Sequence, residues 1–361
     1  MIDIINKFNI EGRVLNIEEC NGGLVNKSYK VTTCSKVYLL QIINHYVFRD
    51  VEGLMNNIYE VTNHLKKKNI VTLDIITTKE GRSYYYDDTK DVYYRIYRFL
   101  DNVENINLFN DKLCLEIGKV IGNFQLNLVD FDGNLLTETI KDFHNVSKRI
   151  IKLKESYNSK NLIDTRKNIC NVMYLYIIDN ASENNKITES IGKGIIPIRI
   201  SHNDTKYNNI MFDKISNTGS CLIDLDTVMP GCILFDYADA IRSACSKVSE
   251  DDTNIGEVDL IDSRFIYLTI GYLSRVYTFI SKDEVNLMVK SIGTIIFECA
   301  VRFLTDYLDN DIYFKTNYNN HNYDRALNQL KLYEKFLEKE EKYNKYLEII
   351  YKRIANDFNI K

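Results

Sequence analysis

The sequence predicts a two-lobed α+β protein, with a β-rich small lobe over residues 1–100 and a larger, mainly helical lobe over residues 101–361. Three observations predict it. At 361 residues the chain can bury a sizeable core and is long enough for more than one compact unit. Its first hundred residues read in the order strand, strand, strand, helix, strand, strand. From Asp111 onward apolar residues recur at helical spacing, interrupted by one short hairpin pattern near residues 210–223.

In the small lobe, residues 12–33 read as two strands around Asn21-Gly22-Gly23, with alternation running from Leu24 to Val31. Glycines at such a turn let backbone amides approach a phosphate closely, so Gly22, Gly23 and Asn26 are candidate nucleotide contacts; a plain hairpin turn is the competing reading. Tyr38 to Ile43 forms a third strand carrying Gln41. Val51 to Lys68 sets Leu54, Ile58, Val61 and Leu65 on one helix face, and Val71–Thr77 and Val92–Leu100 supply two further strands.

In the large lobe, Asp111 to Leu128 is a core helix, and Asn158 to Ile195 adds one or two more. His144 beside Phe143 is a lone histidine, suited to holding a loop or to catalysis. Ser246 to Glu257 is polar and acidic and reads as a mobile surface loop. Ser281 and Glu284 form a capping box that opens a helix with Val285, Met288, Ile292, Ile296 and Phe303 inward. Glu298 and Arg302, four apart on that helix, could pair with each other. A Tyr- and Asn-rich loop over residues 309–322 precedes helical sequence from Tyr323 to Phe358.

The chemistry concentrates in residues 201–239. His202-Asn203-Asp204 precedes Asn209, a short apolar run and a turn; a second run, Cys221 to Ile223, then delivers Asp224 and Asp226. Phosphoryl transfer needs a carboxylate to orient the attacking hydroxyl and hard oxygen ligands to hold magnesium on the phosphates. Asp204 is the candidate base, and Asn209 and Asp224 are the candidate metal ligands, at the spacing of the protein-kinase catalytic and metal loops. A solvated loop with a turn-capping aspartate is the bland alternative. The strand order of the first hundred residues matches a kinase small lobe, in which Arg98 to Asp101 would be the hinge beside adenine.

The same residues resemble the aminoglycoside phosphotransferase and choline kinase superfamily, and within it the N-acetylhexosamine 1-kinases. The likeness is carried by His202 to Asn209 and by Ile223 to Gly231 with Phe235-Asp236, and it extends to Tyr38–Phe48, Glu138–Asn145, Arg242 and Glu298–Lys331. It implies a protein-kinase-like fold that uses ATP and Mg2+ to phosphorylate the anomeric hydroxyl of N-acetylglucosamine or N-acetylgalactosamine. His144, Arg302 and Tyr313 would then surround the sugar with Asp204, and Asp236 would brace the catalytic loop.

Two departures stand out. Gln41 occupies the third-strand position where the general kinase pattern has a lysine, as is usual in the resembling sugar kinases. Lys27 or Lys36 could supply the charge, and Glu52 or Glu60 the helix partner. Gly22 to Lys27 looks more like a choline kinase loop, which keeps a choline or aminoglycoside kinase in play; Gln41 also admits a degenerate kinase-fold binding protein.

With 46 Lys and Arg against 50 Asp and Glu, the net charge of −4 leaves no nucleic-acid footprint. Eight cysteines without paired spacing read as free thiols. The apolar tract from Ile292 to Phe303 contains Glu298 and Arg302, so it is a poor membrane span, and Asp3, Asn6 and Lys7 break any leader pattern. A monomeric cytoplasmic protein with a small sugar as its partner, and neither membrane nor nucleic acid, is the expectation.

Overall fold

The computed structural model describes residues 1–20, 25–105, 110–159 and 164–359, so the expected glycine turn at Gly22 and Gly23 lies outside the described residues. After a short helix α1 (Ile2–Ile5), strands β1 (Val14–Cys20), β2 (Lys27–Thr33), β3 (Val37–Ile43) and β6 (Val92–Arg98) pair antiparallel in that order. Alternation along β6 separates two faces. Tyr94 and Ile96 join Ile4, Ile5, Phe8, Val31, Tyr38 and Leu40 in an outer core. Tyr97 faces the main core and α2 (Val51–Lys67), whose Leu54, Ile58, Val61 and Leu65 are buried there as their spacing predicts.

The strand expected over Val71–Thr77 is shorter, because the second edge of β6 is shared. Ile75–Ile76 (β4) pairs with Ile96 and Tyr97, while Tyr85–Asp87 (β5), which the sequence reading missed, pairs with Val92 to Tyr94.

After β6 the chain enters the large lobe. There β7 (Val103–Glu104) pairs with β9 (Ile210–Asp213), which forms the expected hairpin with β10 (Gly219–Leu222). A second ribbon pairs β8 (Arg199–Ser201) with β11 (Met229–Gly231). The helices are α3 (Asp111–Asn127), α4 (Val146–Tyr157), α5 (Asp164–Asn184), α6 (Lys186–Gly192), α7 (Ile233–Ala244), α8 (Asp262–Val276), α9 (Lys282–Leu308) and α10 (His321–Asn359).

Helices α3 and α8 meet backbone to backbone. A Cβ on Gly118 would lie 2.1 Å from the Leu268 carbonyl oxygen, and one on Gly271 would lie 2.1 Å from that of Leu115. The capping box of α9 forms, with Ser281 Oγ accepting from the Glu284 amide at 3.1 Å and Glu284 Oε2 accepting from the Ser281 amide at 2.8 Å. Among the described residues no helix is long and apolar enough to cross a membrane, and all eight cysteines are free thiols.

The segment 246–257, expected as a mobile surface loop, is instead fastened to α10. Asp251 accepts from Arg325 at 2.6 Å and lies 3.0 Å from His321, and Asn328 donates to the carbonyls of Ser249 and Asp252. The acidity that suggested a solvated loop is matched by cations whose contribution only the tertiary fold reveals.

Candidate active site between the lobes

The site is assembled from the turn after β8, the end of the β9–β10 hairpin and the start of α7. Asn203 has a left-handed backbone (φ +66°), which asparagine tolerates better than most residues. Its amide and that of His202 both donate to the Asp236 carboxylate, at 2.7 and 3.0 Å, and Gln125 of α3 donates to the same group at 3.0 Å. Burial raises the Asp236 carboxyl above the ordinary aspartate value, and these hydrogen bonds oppose the rise. Asp236 thus braces the turn that carries Asp204. His202 is wholly buried. Its Nε2 faces the Ile223 carbonyl at 3.0 Å and its Nδ1 accepts from the Asp204 amide at 3.3 Å, which ties the loop to the strand leading to Asp224.

Asp204 and Asn209 are brought together as predicted: Asn209 Nδ2 donates to the Asp204 carbonyl at 2.8 Å and to its carboxylate at 3.0 Å. The Asn209 carbonyl accepts from the Ile223 amide at 2.9 Å, so Asn209 and Asp224 flank one backbone bond. Lys206, which the sequence reading missed, lies 3.3 Å from the Asp204 carboxylate. Burial raises the Asp204 carboxyl, but Lys206 and His202 outweigh it and hold the group below the usual aspartate value. The signal was available, since Lys206 is two residues past Asp204 and a phosphoryl donor calls for a cation there.

Asp224 also has a left-handed backbone (φ +61°). Desolvation by the surrounding protein, Asp226 and Asp204 together push its carboxyl up to about 7; the residue keeps an exposed surface, and exposure of that kind screens part of the repulsion. A crowd of carboxylates beside an asparagine fits a hard divalent cation whose remaining ligands are phosphate oxygens and water. Among the described residues no three acidic, histidine or cysteine side chains form a self-sufficient metal cluster, so the protein would supply a partial ligand set.

Lys27 and Lys36 are both exposed. The cation that lies beside Gln41 is Arg95 of β6, its register partner. Arg95 is 1% exposed; its Nη2 donates to Asp226 Oδ2 at 2.9 Å, and its Nη1 lies 2.6 Å from Oδ1 as an ion-pair contact without hydrogen-bond alignment. Its Nε donates to Gln41 Oε1 at 3.0 Å, while Gln41 Nε2 donates to Ser28 Oγ at 3.0 Å. Helix α2 offers Arg95 the Met55 sulfur at 3.9 Å, and among the described residues Glu52 and Glu60 form no ion pair. Asn26, expected at the nucleotide, donates to Asp226 at 2.6 Å and accepts from the Asn44 amide at 2.9 Å. Both Gln41 and Asn26 are therefore engaged within the protein.

Arg98, expected at the hinge beside adenine, has its side chain engaged within the protein. Three residues past Arg95, it sits on the opposite face of β6, where its guanidinium bonds Asp74 at 3.1 Å and lies 3.5 Å from Glu11. Alternation along the strand turns it away from the cleft.

At the acceptor end, both ring nitrogens of His144 are spent internally. Nδ1 lies 3.1 Å from Glu298 Oε2 and Nε2 lies 3.0 Å from the Asn203 carbonyl. His144 therefore links α9 to the catalytic loop, and no ring nitrogen is left for a sugar. Burial raises Glu298, but His144 and Arg149 outweigh it and hold it low; Arg149 is 3.6 Å away.

Arg302 does not pair with Glu298 or with Asp306, whose carboxylate accepts from the amides of Tyr313 and Phe314 and from Asn322. Its guanidinium lies over three rings, 4.9 Å from the centroid of Phe143, 5.4 Å from Phe314 and 5.8 Å from Tyr313. Among the described residues it has neither an ion-pair nor a hydrogen-bond partner. Tyr313 is its neighbour, as expected from the sequence. Each of Arg302 and Asp204 feels the other's charge.

Residues 196–255, which hold Asp204, Asn209 and Asp224, match the model of the phosphotransferase enzyme family. Among solved structures, the chain is similar to an ethanolamine kinase of Plasmodium vivax (15% identity, 91% of this chain and 82% of that one, TM-score 0.58). It is also similar to a spectinomycin phosphotransferase in complex with ADP and spectinomycin (15% identity, 91% and 94%, TM-score 0.58), and to a choline kinase of Cryptosporidium parvum (15% identity, 94% and 95%, TM-score 0.55). At these identities the structures show a shared fold, a β-sheet lobe joined to a helical one. The family match and the fold together support a phosphotransferase of the kinase type.

Proposed function

We propose that this chain is an ATP-dependent kinase that phosphorylates the anomeric hydroxyl of an N-acetylhexosamine, N-acetylglucosamine or N-acetylgalactosamine. The observation that carries the acceptor class is Arg302: a cation boxed by Phe143, Tyr313 and Phe314, without an acceptor of its own, within electrostatic reach of Asp204. Sugars present ring faces to aromatic walls and oxygens to N–H donors. A cationic acceptor such as choline would meet repulsion from Arg302 instead.

Asp204 is ionised throughout the working pH range and suits the task of orienting the acceptor hydroxyl and receiving its proton as the phosphoryl group arrives. Lys206, fixed beside it, is placed to offset charge on the transferring oxygens. Asn209 and Asp224 would hold Mg2+; bound to the phosphates, the ion neutralises charge that develops during transfer. Use of ATP is supported by the ADP held by the similar spectinomycin phosphotransferase. Most of the rate gain then comes from positioning and fixed charges, since phosphoryl transfer asks little covalent chemistry of the protein.

A substrate panel with detection of the phosphorylated product tests the reading. Free N-acetylhexosamines are expected to be phosphorylated and their methyl glycosides, blocked at the anomeric oxygen, are not. Phosphorylation of choline in their place, or of the methyl glycoside as readily as the free sugar, refutes it.

A further inference from the structure

The bonds at Arg95 cross from one lobe to the other. Arg95 and Gln41 belong to the small-lobe sheet and Asn26 directly precedes its strand β2, whereas Asp226 belongs to the large-lobe turn Leu225–Thr227 that directly follows Asp224. That turn has other ties: Asn203 Nδ2 donates to the Thr227 carbonyl at 2.9 Å, Thr227 Oγ1 donates to the His202 carbonyl at 2.7 Å, and Asn57 of α2 donates to the Val228 carbonyl at 3.0 Å. A non-glycine residue with a left-handed backbone, such as Asp224, persists only where its surroundings over-determine it. Of these ties, the one from Arg95 to Asp226 is charged and buried on both sides, with side-chain exposures of 1% and 4%.

We propose that Arg95 is a positioning residue of the nucleotide site: by gripping Asp226 it holds the turn that aims Asp224 at the metal, and Gln41 orients that grip. The proposal rests on the reading of Asn209 and Asp224 as the Mg2+ site. In the usual kinase arrangement a third-strand lysine faces the phosphates. Here the cation stands one strand over, enclosed by Gln41, Met55 and Tyr97, and acts on the metal ligand through a carboxylate. The position of the small lobe and the geometry of the metal site are thereby joined at Asp226, through this ion pair with the Asn26 hydrogen bond beside it.

Calorimetric titration with ADP, with and without Mg2+, separates this role from direct phosphate binding and from mere structure. In Arg95→Gln, MgADP affinity is expected to fall by about tenfold or more, the worth of a charged hydrogen bond, while metal-free ADP affinity changes by less than about threefold. Moving the cation to its register neighbour, in Gln41→Lys with Arg95→Gln, is expected to restore MgADP affinity to within about threefold of wild type, because a charge again faces Asp226.

Equal losses with and without metal would show Arg95 on the phosphates and overturn the proposal, as would unchanged MgADP binding in a folded Arg95→Gln. Arg95→Gln strands a buried carboxylate and can unfold the protein, so the swapped double variant is also read alone; its failure to fold or to bind MgADP overturns the proposal. A wild-type protein that binds no MgADP removes the parent reading as well, whereas wild-type binding that withstands every variant removes only this one.

Discussion

Replacing Arg302 with methionine removes the guanidinium while keeping length and apolar bulk, and the structure sets what that should cost. The cation lies 4.9 to 5.8 Å from three ring centroids. Such contacts are worth about 0.5–1 kcal/mol each where solvent reaches them, and they overlap here on one group. A methionine sulfur over the same rings recovers about 0.3–1.5 kcal/mol. No ion pair to Glu298 or Asp306 is broken, because both carboxylates have other partners. The net stability change should therefore stay near 1 kcal/mol, a melting shift of no more than about 2–4 °C in a chain of this size. A sugar oxygen that accepts from the charged donor contributes about 1.5–3 kcal/mol, so its loss should raise the KM for the sugar by about tenfold to more than a hundredfold. The KM for ATP should hold. If the bond is equally strong in ground and transition states, kcat should also be unchanged. Steady-state kinetics with each substrate varied, together with a thermal melt, gives all four quantities. A variant that melts far lower with sugar kinetics intact would show that Arg302 is structural.

Asp224, pushed up to about 7, binds metal only when ionised. Magnesium-dependent nucleotide affinity should fall by about tenfold between pH 8 and pH 6, as titration calorimetry would register, and a flat profile would contradict the crowding of carboxylates. Without metal the sign reverses. A carboxyl raised above its unfolded value takes up protons in the folded state, so this group's contribution to stability declines as pH rises from about 4 to 7. Gly271→Ala drives a methyl to 2.1 Å from the Leu115 carbonyl, so α3 and α8 must separate; a loss of about 2 kcal/mol or more by denaturant melt is expected, and an unperturbed melt would show that the helices are not in backbone contact.

What could be read from the sequence was what depends on local spacing. Asp204, Asn209 and Asp224 fall on one hairpin and its flanks, so counting residues places them together. The capping box at Ser281 and the buried face of α9 are likewise local. Arg95 was not legible because nothing near it in sequence marks it; only the register of β3 against β6 sets it beside Gln41, and only lobe packing brings Asp226 to it. The same cause hid the fastening of residues 249–252 to α10. For Arg98 a hinge assignment fixes a position along the strand, while the face its side chain occupies follows from the alternation of β6.

The role of Asp204 carries the account, and Asp204→Asn tests it most directly. The amide keeps the side chain's size and hydrogen-bonding capacity toward Asn209 and removes the proton acceptor. Turnover at saturating ATP and N-acetylhexosamine is expected to drop by about two to four orders of magnitude, the usual worth of a positioned general base, with MgATP affinity retained. Turnover near that of wild type would contradict the account, because the cleft would then be transferring phosphate without the group around which its loop, lysine and metal ligands are arranged.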